Sequence, residues 1–229
     1  MVDCSHDSQL ERARMVREQL EARGICDPAV LRAMGRVPRE HFVEEAMSPR
    51  AYGDHPLPIG HGQTIPQPFM VAYVAQLLRL SGRERVLDVG AGSGYQAAVL
   101  ADLVPDGAVY AVERIPQLAA LAARRLLELG YSVEVCCGDG SLGWAEYAPF
   151  DAIVVDAAVP RVPEELLAQL ADGGRLVVPV GDQSRQRLLL IERRGDQFDI
   201  RPDIECVYVD LVGRYGWDEG LGERPFPMV

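Results

Sequence analysis

The feature that most constrains this chain is an alternation that begins at Pro68. Short apolar runs suited to strands take turns with longer runs of helical period. FMVAYVAQLLRL reads as a helix, RVLDVGAG as a strand ending in glycines, SGYQAAVLADLV as a helix and AVYAVER as a strand. IPQLAALAARRLLELG is a helix closed by Gly130, SVEVCCGDG and FDAIVVDAA are strands, PEELLAQLADGG is a helix and GRLVVPVG a strand. A nearly continuous apolar run such as FDAIVVDAA suits a strand buried on both faces of a parallel sheet. The end changes character. RQRLLLIERRGDQFDI reads as a hairpin turning near Gly195-Asp196, and ECVYVDLVG as a last strand with no helix before it. The expected fold is therefore α/β, a doubly wound and mostly parallel seven-stranded sheet with right-handed crossovers and an antiparallel C-terminal strand.

Ahead of this alternation the chain is helical. Leu10, Met15, Val16 and Leu20 recur at helical spacing within residues 9–23, and Gly24 fits a stop. Asp27-Pro28 reads as an N-cap followed by proline at the first helical position, and PREHFVEEAM as a further short helical piece. Residues 53–68, rich in glycine and proline, show neither period and are expected to form an ordered loop or a bridge. The boundaries drawn are 1–67 for the helical region with its loop, 68–217 for the core and 218–229 for a tail. MVDCSHDS and EGLGERPFPMV are read as surface segments.

With 229 residues the chain suffices for one well-buried core. No charged start leads into an apolar run, and no apolar run is long enough to span a bilayer, so a cytoplasmic protein without a membrane partner is expected. Five cysteines, Cys4, Cys26, Cys136, Cys137 and Cys206, form no CxxC pair, which suits reduced thiols. Cys136 and Cys137 are read as small buried residues on opposite faces of a strand. The histidines show no ligand spacing, so no metal is expected. A formal charge of −11 with no basic block argues against a nucleic-acid partner. A monomer is expected.

The chemistry enters at VLDVGAGSGY. Gly90, Gly92 and Gly94 follow a strand and open a helix, so backbone can approach a ligand at the carboxyl edge of the sheet. Glu113 ends the next strand, where a carboxylate accepts hydrogen bonds from ribose hydroxyls, with Arg114 beside it. A dinucleotide fingerprint would place glycine at position 95, and the chain has Tyr95 there. The pattern is GxGxG preceded by Asp88, and a cofactor without a pyrophosphate does not need the third dinucleotide glycine. The arrangement resembles the Rossmann-like class I S-adenosylmethionine-dependent methyltransferases. That resemblance implies S-adenosylmethionine as cofactor, S-adenosylhomocysteine as product, and Asp139 with Gly140 beside the adenine.

The acceptor is constrained by what is missing. DAAVPRVP carries no Asp/Asn-Pro-Pro-aromatic motif, no Pro-Cys nucleophile is present, and no general base stands out. A carboxylate acceptor, with a pKa of about 4, needs no deprotonation at neutral pH. Composition alone does not select it. The segments RARMVREQLEARGICDPAVLRAMGRVPREHFV, AYGDHPLPIGHGQTIPQPFMVA, VLDVGAGSGYQAAVLA, YAVERIPQLA, GDGSLGW, APFDAIVVDAA and GGRLVVPVG resemble the protein-L-isoaspartate O-methyltransferase family in order, from about Arg12 to about Trp217. The resemblance implies methyl transfer to the α-carboxyl of isoaspartyl residues in damaged proteins, whose ester collapses to a succinimide and returns part to aspartate. It places Gln63, Thr64 and Ile65 between donor and substrate, and Val207, Val209 and Val212 against the substrate.

At one position the pattern departs. The family motif Gln-Thr-Ile-Ser has an active-site serine where this chain has Pro66, which offers neither a hydroxyl nor an N–H. Thr64, the backbone N–H of Gln67 and water are the substitutes considered. Two alternatives stay open on that account: a related enzyme acting on another peptide aspartate, and a non-catalytic relative that binds the cofactor.

Overall fold

The computed structural model describes residues 4–218. Of the two ends read as surface segments, residues 1–3 and all of 219–229 lie outside them. Seven strands form the main sheet: β3 (Arg85–Val89), β4 (Ala108–Glu113), β5 (Val133–Cys137), β6 (Phe150–Val155), β7 (Leu170–Gly181), β8 (Gln186–Arg194) and β9 (Gln197–Cys206). Their order is β5-β4-β3-β6-β7-β8-β9. The first five pair in parallel, and β8 runs antiparallel to β7 and β9. The winding direction reverses between β3 and β6, and a crevice opens beyond the carboxyl ends of strands at such a reversal.

The central strands are apolar throughout because both of their faces are covered. Val86, Val109, Ala111 and Val154 belong to one core, while Leu87, Val89, Val112, Ile153 and Val155 belong to the other. Successive side chains on a strand point to opposite faces, so each strand serves both. The first core is packed by α3 (Pro68–Leu78), α4 (Tyr95–Leu103) and the N-terminal helices.

Of those, α1 (Cys4–Met15) continues through wider and then tighter turns to Arg23 and stops at Gly24, whose φ is 92°. In α2 (Pro28–Arg36) the Asp27 carboxylate accepts from the N–H of Ala29 at 2.8 Å and of Val30 at 3.4 Å. This cap satisfies amides that the helix itself leaves unpaired. Leu20, Val30, Ala33 and Met34 are buried in the same core as Val86 and Val99. PREHFVEEAM becomes parts of two short, tightly wound helical pieces, Arg39–Phe42 and Glu45–Arg50. Helix α5 (Pro116–Glu128) precedes β5, with Gly130 left-handed just beyond its end.

Four expectations are corrected. Residues 57–65 are a hairpin, β1 (Leu57–Gly60) with β2 (Gln63–Ile65), turned by His61 at φ 53° and Gly62 at φ 69°. Two positive φ angles make the kind of turn that matches strand twist. Helix α6 covers only Glu164–Ala168, because Leu170 already pairs with Phe150 and the amide of Phe150 bonds the Gln169 carbonyl at 2.8 Å. ECVYVDLVG is not a separate strand: it completes β9 to Cys206 and then leaves the sheet. Cys137 is exposed and Cys136 half-buried, since β5 is an edge strand.

Candidate active site

Beyond the ends of β3 and β4 the glycine turn is built from main chain. Gly90, Gly92 and Gly94 have φ of 87°, 53° and 90°, values that an L side chain rarely adopts. The N–H groups of Gly90 and Ala91 both bond the Val112 carbonyl, at 2.8 and 3.2 Å. Glu113 braces the turn from the side, accepting from the Gly92 N–H on one oxygen and the Ile115 N–H on the other, each at 2.8 Å. A carboxylate has about four lone-pair sites, so two of Glu113's remain for a ligand. The hairpin lies over this turn: a Cβ on Gly92 would stand 3.0 Å from Ile59 Cδ1.

The resulting cleft brings together most of the residues expected at a cofactor. Gln63 and Thr64 come from the hairpin, Gly90 and Gly92 from the turn, and Glu113 and Arg114 from the end of β4. Gly140 adds a wall, and a Cβ there would meet Val89 at 2.6 Å. Val209 and Val212 close the other side.

Four expected residues do not line it. Ile65 is buried in the core, and Gly94 gives room to Ala122 and Leu126 on α5. Asp139 accepts from the Ser141 N–H and hydroxyl on one oxygen and from the Arg214 N–H at 2.7 Å on the other. Its carboxylate ties the C-terminal segment to the turn after β5. Asp88 is fully buried with neither oxygen hydrogen-bonded. Burial first, then nearby Asp156 and Glu113, raise its pKa well above that of a free carboxylate.

A second cleft of about 250 Å³ adjoins the first. Pro66, Gln67 and Met70 line it from one side, and Val207, Tyr208 and Val209 from the other. Thr64, Asp156 and Val209 line both clefts and therefore form their common wall. Val207 is 62% exposed, so this second cleft has an open rim. A separate hollow between the hairpin and α5, lined among others by Glu44, His61 and Arg124, holds none of the glycine turn.

Comparison with known proteins decides the family. Residues 11–216 match the family model described as Protein-L-isoaspartate(D-aspartate) O-methyltransferase (PCMT). The chain belongs to this family. A protein-L-isoaspartate O-methyltransferase of Geobacter metallireducens is 53% identical over 210 residues, 91% of this chain and 96% of its own. A Pelobacter propionicus protein called protein-L-isoaspartate O-methyltransferase 2 is 54% identical over 215 residues, 92% of this chain and 94% of its own. Among solved structures, a protein-L-isoaspartate O-methyltransferase is 30% identical with a TM-score of 0.83, covering 90% of this chain and 67% of that one. A putative one from Plasmodium falciparum, in complex with S-adenosyl-L-homocysteine, is 26% identical with a TM-score of 0.76 over 88% of this chain and 98% of that one.

In this isoaspartate methyltransferase family member the loop that follows the hairpin is held from behind by Arg39. That side chain is fully buried, donating from Nε to the Ala51 carbonyl at 2.8 Å and from Nη2 to the Pro66 carbonyl at 2.7 Å. Its guanidinium carbon lies 4.9 Å from the ring centre of Tyr95, the first residue of α4. Burial lowers its pKa to about 10, so it stays charged at neutral pH. Arg39 thus ties the loop at Pro66 to the helix that the glycine turn opens. The other wall is held by Ala158, whose N–H bonds the Val209 carbonyl at 2.7 Å. Its carbonyl receives the Leu211 N–H at 2.8 Å and the Trp217 indole N–H at 3.1 Å. Gln186 adds a pair of bonds to the backbone of Tyr208, at 2.6 and 3.1 Å.

Sequence reasoning missed Arg39 and Asp156. Arg39 stands in the charged stretch PREHFVEEAM, where nothing in the pattern marks it for burial, and its burial depends on the loop it bonds. Asp156 stood in plain view at the end of an apolar strand, where an acid beyond the last valine was the available signal. The hairpin, too, had a signal: His61-Gly62 between short runs.

Proposed function

We propose that this chain is an S-adenosylmethionine-dependent protein carboxyl methyltransferase acting on the α-carboxyl of L-isoaspartyl residues in damaged proteins. The observation that carries the reading is the wall of Thr64, Asp156 and Val209, which sets a donor cleft directly against an acceptor cleft. The donor half fits an adenosyl group, since Glu113 presents unused acceptor sites and the glycine turn and Gly140 let main chain approach closely. Bound S-adenosylmethionine, consumed in each turnover, supplies a methyl carbon activated by its sulfonium.

Everything else the chain does is placement. Among the described residues no histidine lines either cleft, and an ionised carboxylate requires no base. Holding acceptor oxygen and methyl carbon in line contributes on the order of 7–11 kcal/mol in favourable intramolecular cases. Arg39, bonded to the Pro66 carbonyl, fixes the loop side of that alignment, and Ala158 fixes the opposite side. The open rim at Val207 suits a substrate that is itself a protein. The ester then closes to a succinimide, whose hydrolysis returns part of the damage to aspartate.

Unpaired Cys26, Cys136, Cys137 and Cys206 support a cytoplasmic setting. Among the described residues no helix is long and apolar enough to cross a membrane. The test is S-adenosylhomocysteine release with paired peptides differing only in an isoaspartyl or aspartyl linkage. Turnover is expected with the isoaspartyl peptide alone, and none with it would reject the function.

A further inference from the structure

The acceptor cleft places an acid where a carboxylate substrate has to enter. Asp156 follows β6 directly, its N–H bonded to the Val89 carbonyl at 2.8 Å, and it lines both clefts. On the loop side Pro66 presents no hydroxyl, which leaves Thr64 as the hydroxyl of the shared wall. Two carboxylates at hydrogen-bonding distance repel unless one of them carries a proton.

The surroundings decide which form Asp156 takes. Behind it stand Asp88 of β3 and Glu113 of β4, and among the described residues Arg114 is the one cation lining the donor cleft. From β9 and the segment after it come Glu205, Cys206, Tyr208 and Asp210, while β2 and α3 bring no titratable side chain to either lining. Burial holds Asp156 above the ordinary carboxylate range. Its place in the lining of both clefts puts it between the glycine turn and the acceptor cleft.

We propose that Asp156 is a catalytic residue that works as a neutral acid, donating its O–H to the non-attacking oxygen of the acceptor carboxylate. The inference rests on the isoaspartyl methylation proposed above. The attacking oxygen forms its bond to the methyl carbon as the carbon–sulfur bond breaks, and that bond's electron pair leaves on sulfur. The Asp156 proton stays in its hydrogen bond, and no proton is taken up or released. Asp156 thereby supplies the hydroxyl that Pro66 lacks.

A definite pH dependence follows. The protonated form is the active one, and its pKa is raised, so activity is lost as pH climbs through that value. Ionisation of the acceptor, with a pKa of about 4, sets the opposite limb.

The experiment measures kcat/KM for an N-terminally blocked isoaspartyl peptide between about pH 5 and pH 9 in wild type, Asp156→Asn and Asp156→Ala. S-adenosylhomocysteine affinity is measured by calorimetry alongside, and it also reports that each variant is folded. The asparagine amide donates at every pH, so Asp156→Asn is expected to abolish the alkaline fall with a loss of less than about fivefold at the acid end. Asp156→Ala is expected to lose at least about tenfold throughout. An alkaline limb unchanged in Asp156→Asn overturns the proposal. So does a tenfold or greater loss of S-adenosylhomocysteine affinity with peptide KM unchanged, roughly the worth of a charge-assisted bond, because it would assign the carboxyl to the cofactor. Wild type without isoaspartyl turnover would instead reject the function itself, and the two failures are distinguishable.

Discussion

The donor side and the acceptor side of the site are built from different material. The floor of the donor cleft is main chain at one sheet edge: three left-handed glycines, two amides on the Val112 carbonyl and two on Glu113. The acceptor cleft is assembled from a hairpin near residue 64, the end of β6 and a segment after β9, stretches some 50 to 90 residues apart in sequence. That floor is local, held by backbone bonds and the Glu113 carboxylate. The acceptor cleft has no such local floor, and Arg39 and Gln186 fix its remote walls together with the backbone of Ala158. Substitutions should accordingly damage the donor side through ligand affinity and the acceptor side through turnover.

The largest effect is expected at Glu113. Glu113→Ala strips the Gly92 and Ile115 amides of their acceptor and removes the carboxylate proposed to hold the ribose. Charge-assisted bonds of this kind contribute about 1.5–3 kcal/mol each, so S-adenosylhomocysteine affinity should fall on the order of 100-fold in calorimetry. Affinity within a few-fold of wild type would break the claim that the donor side depends on this brace.

Arg39→Met should do less to the cofactor and more to the loop. It leaves the Ala51 and Pro66 carbonyls without their donor and removes the contact with Tyr95. Unpaired buried carbonyls cost about 1–3 kcal/mol each, so a stability loss of about 2–4 kcal/mol by denaturant melting is expected. Peptide kcat/KM should fall further than cofactor affinity does. Equal losses on both sides would show that Arg39 supports the fold without favouring the loop.

Pro66→Ser should change least. The structure uses the carbonyl of residue 66, which either residue supplies. Steady-state kcat for the isoaspartyl peptide is expected to stay within about threefold, below roughly 0.7 kcal/mol. A tenfold gain would mean that the missing hydroxyl has not been replaced.

The same contrast explains what could be read from sequence. Helix and strand alternation, the Asp27 cap, the Gly24 stop and the glycine turn with Glu113 were legible because each is a local pattern with a local cause. The sheet's fourth strand could be recognised by its apolar run, since both faces are buried. Helix α6 was overextended because its apolar pattern continues into β7, and only pairing with Phe150 decides where the strand begins. Asp139 had the right place after β5, yet its carboxylate turns to Ser141 and Arg214, a contact 75 positions away that no spacing rule encodes. The hairpin was hidden by Pro58 and Pro66, which obscure a period of two in strands only three and four residues long.

Ala158 gathers Val209, Leu211 and Trp217 through its two backbone groups. Val209 lines both clefts, so during synthesis neither one is walled until the chain has passed this clasp. Competence arrives with Trp217.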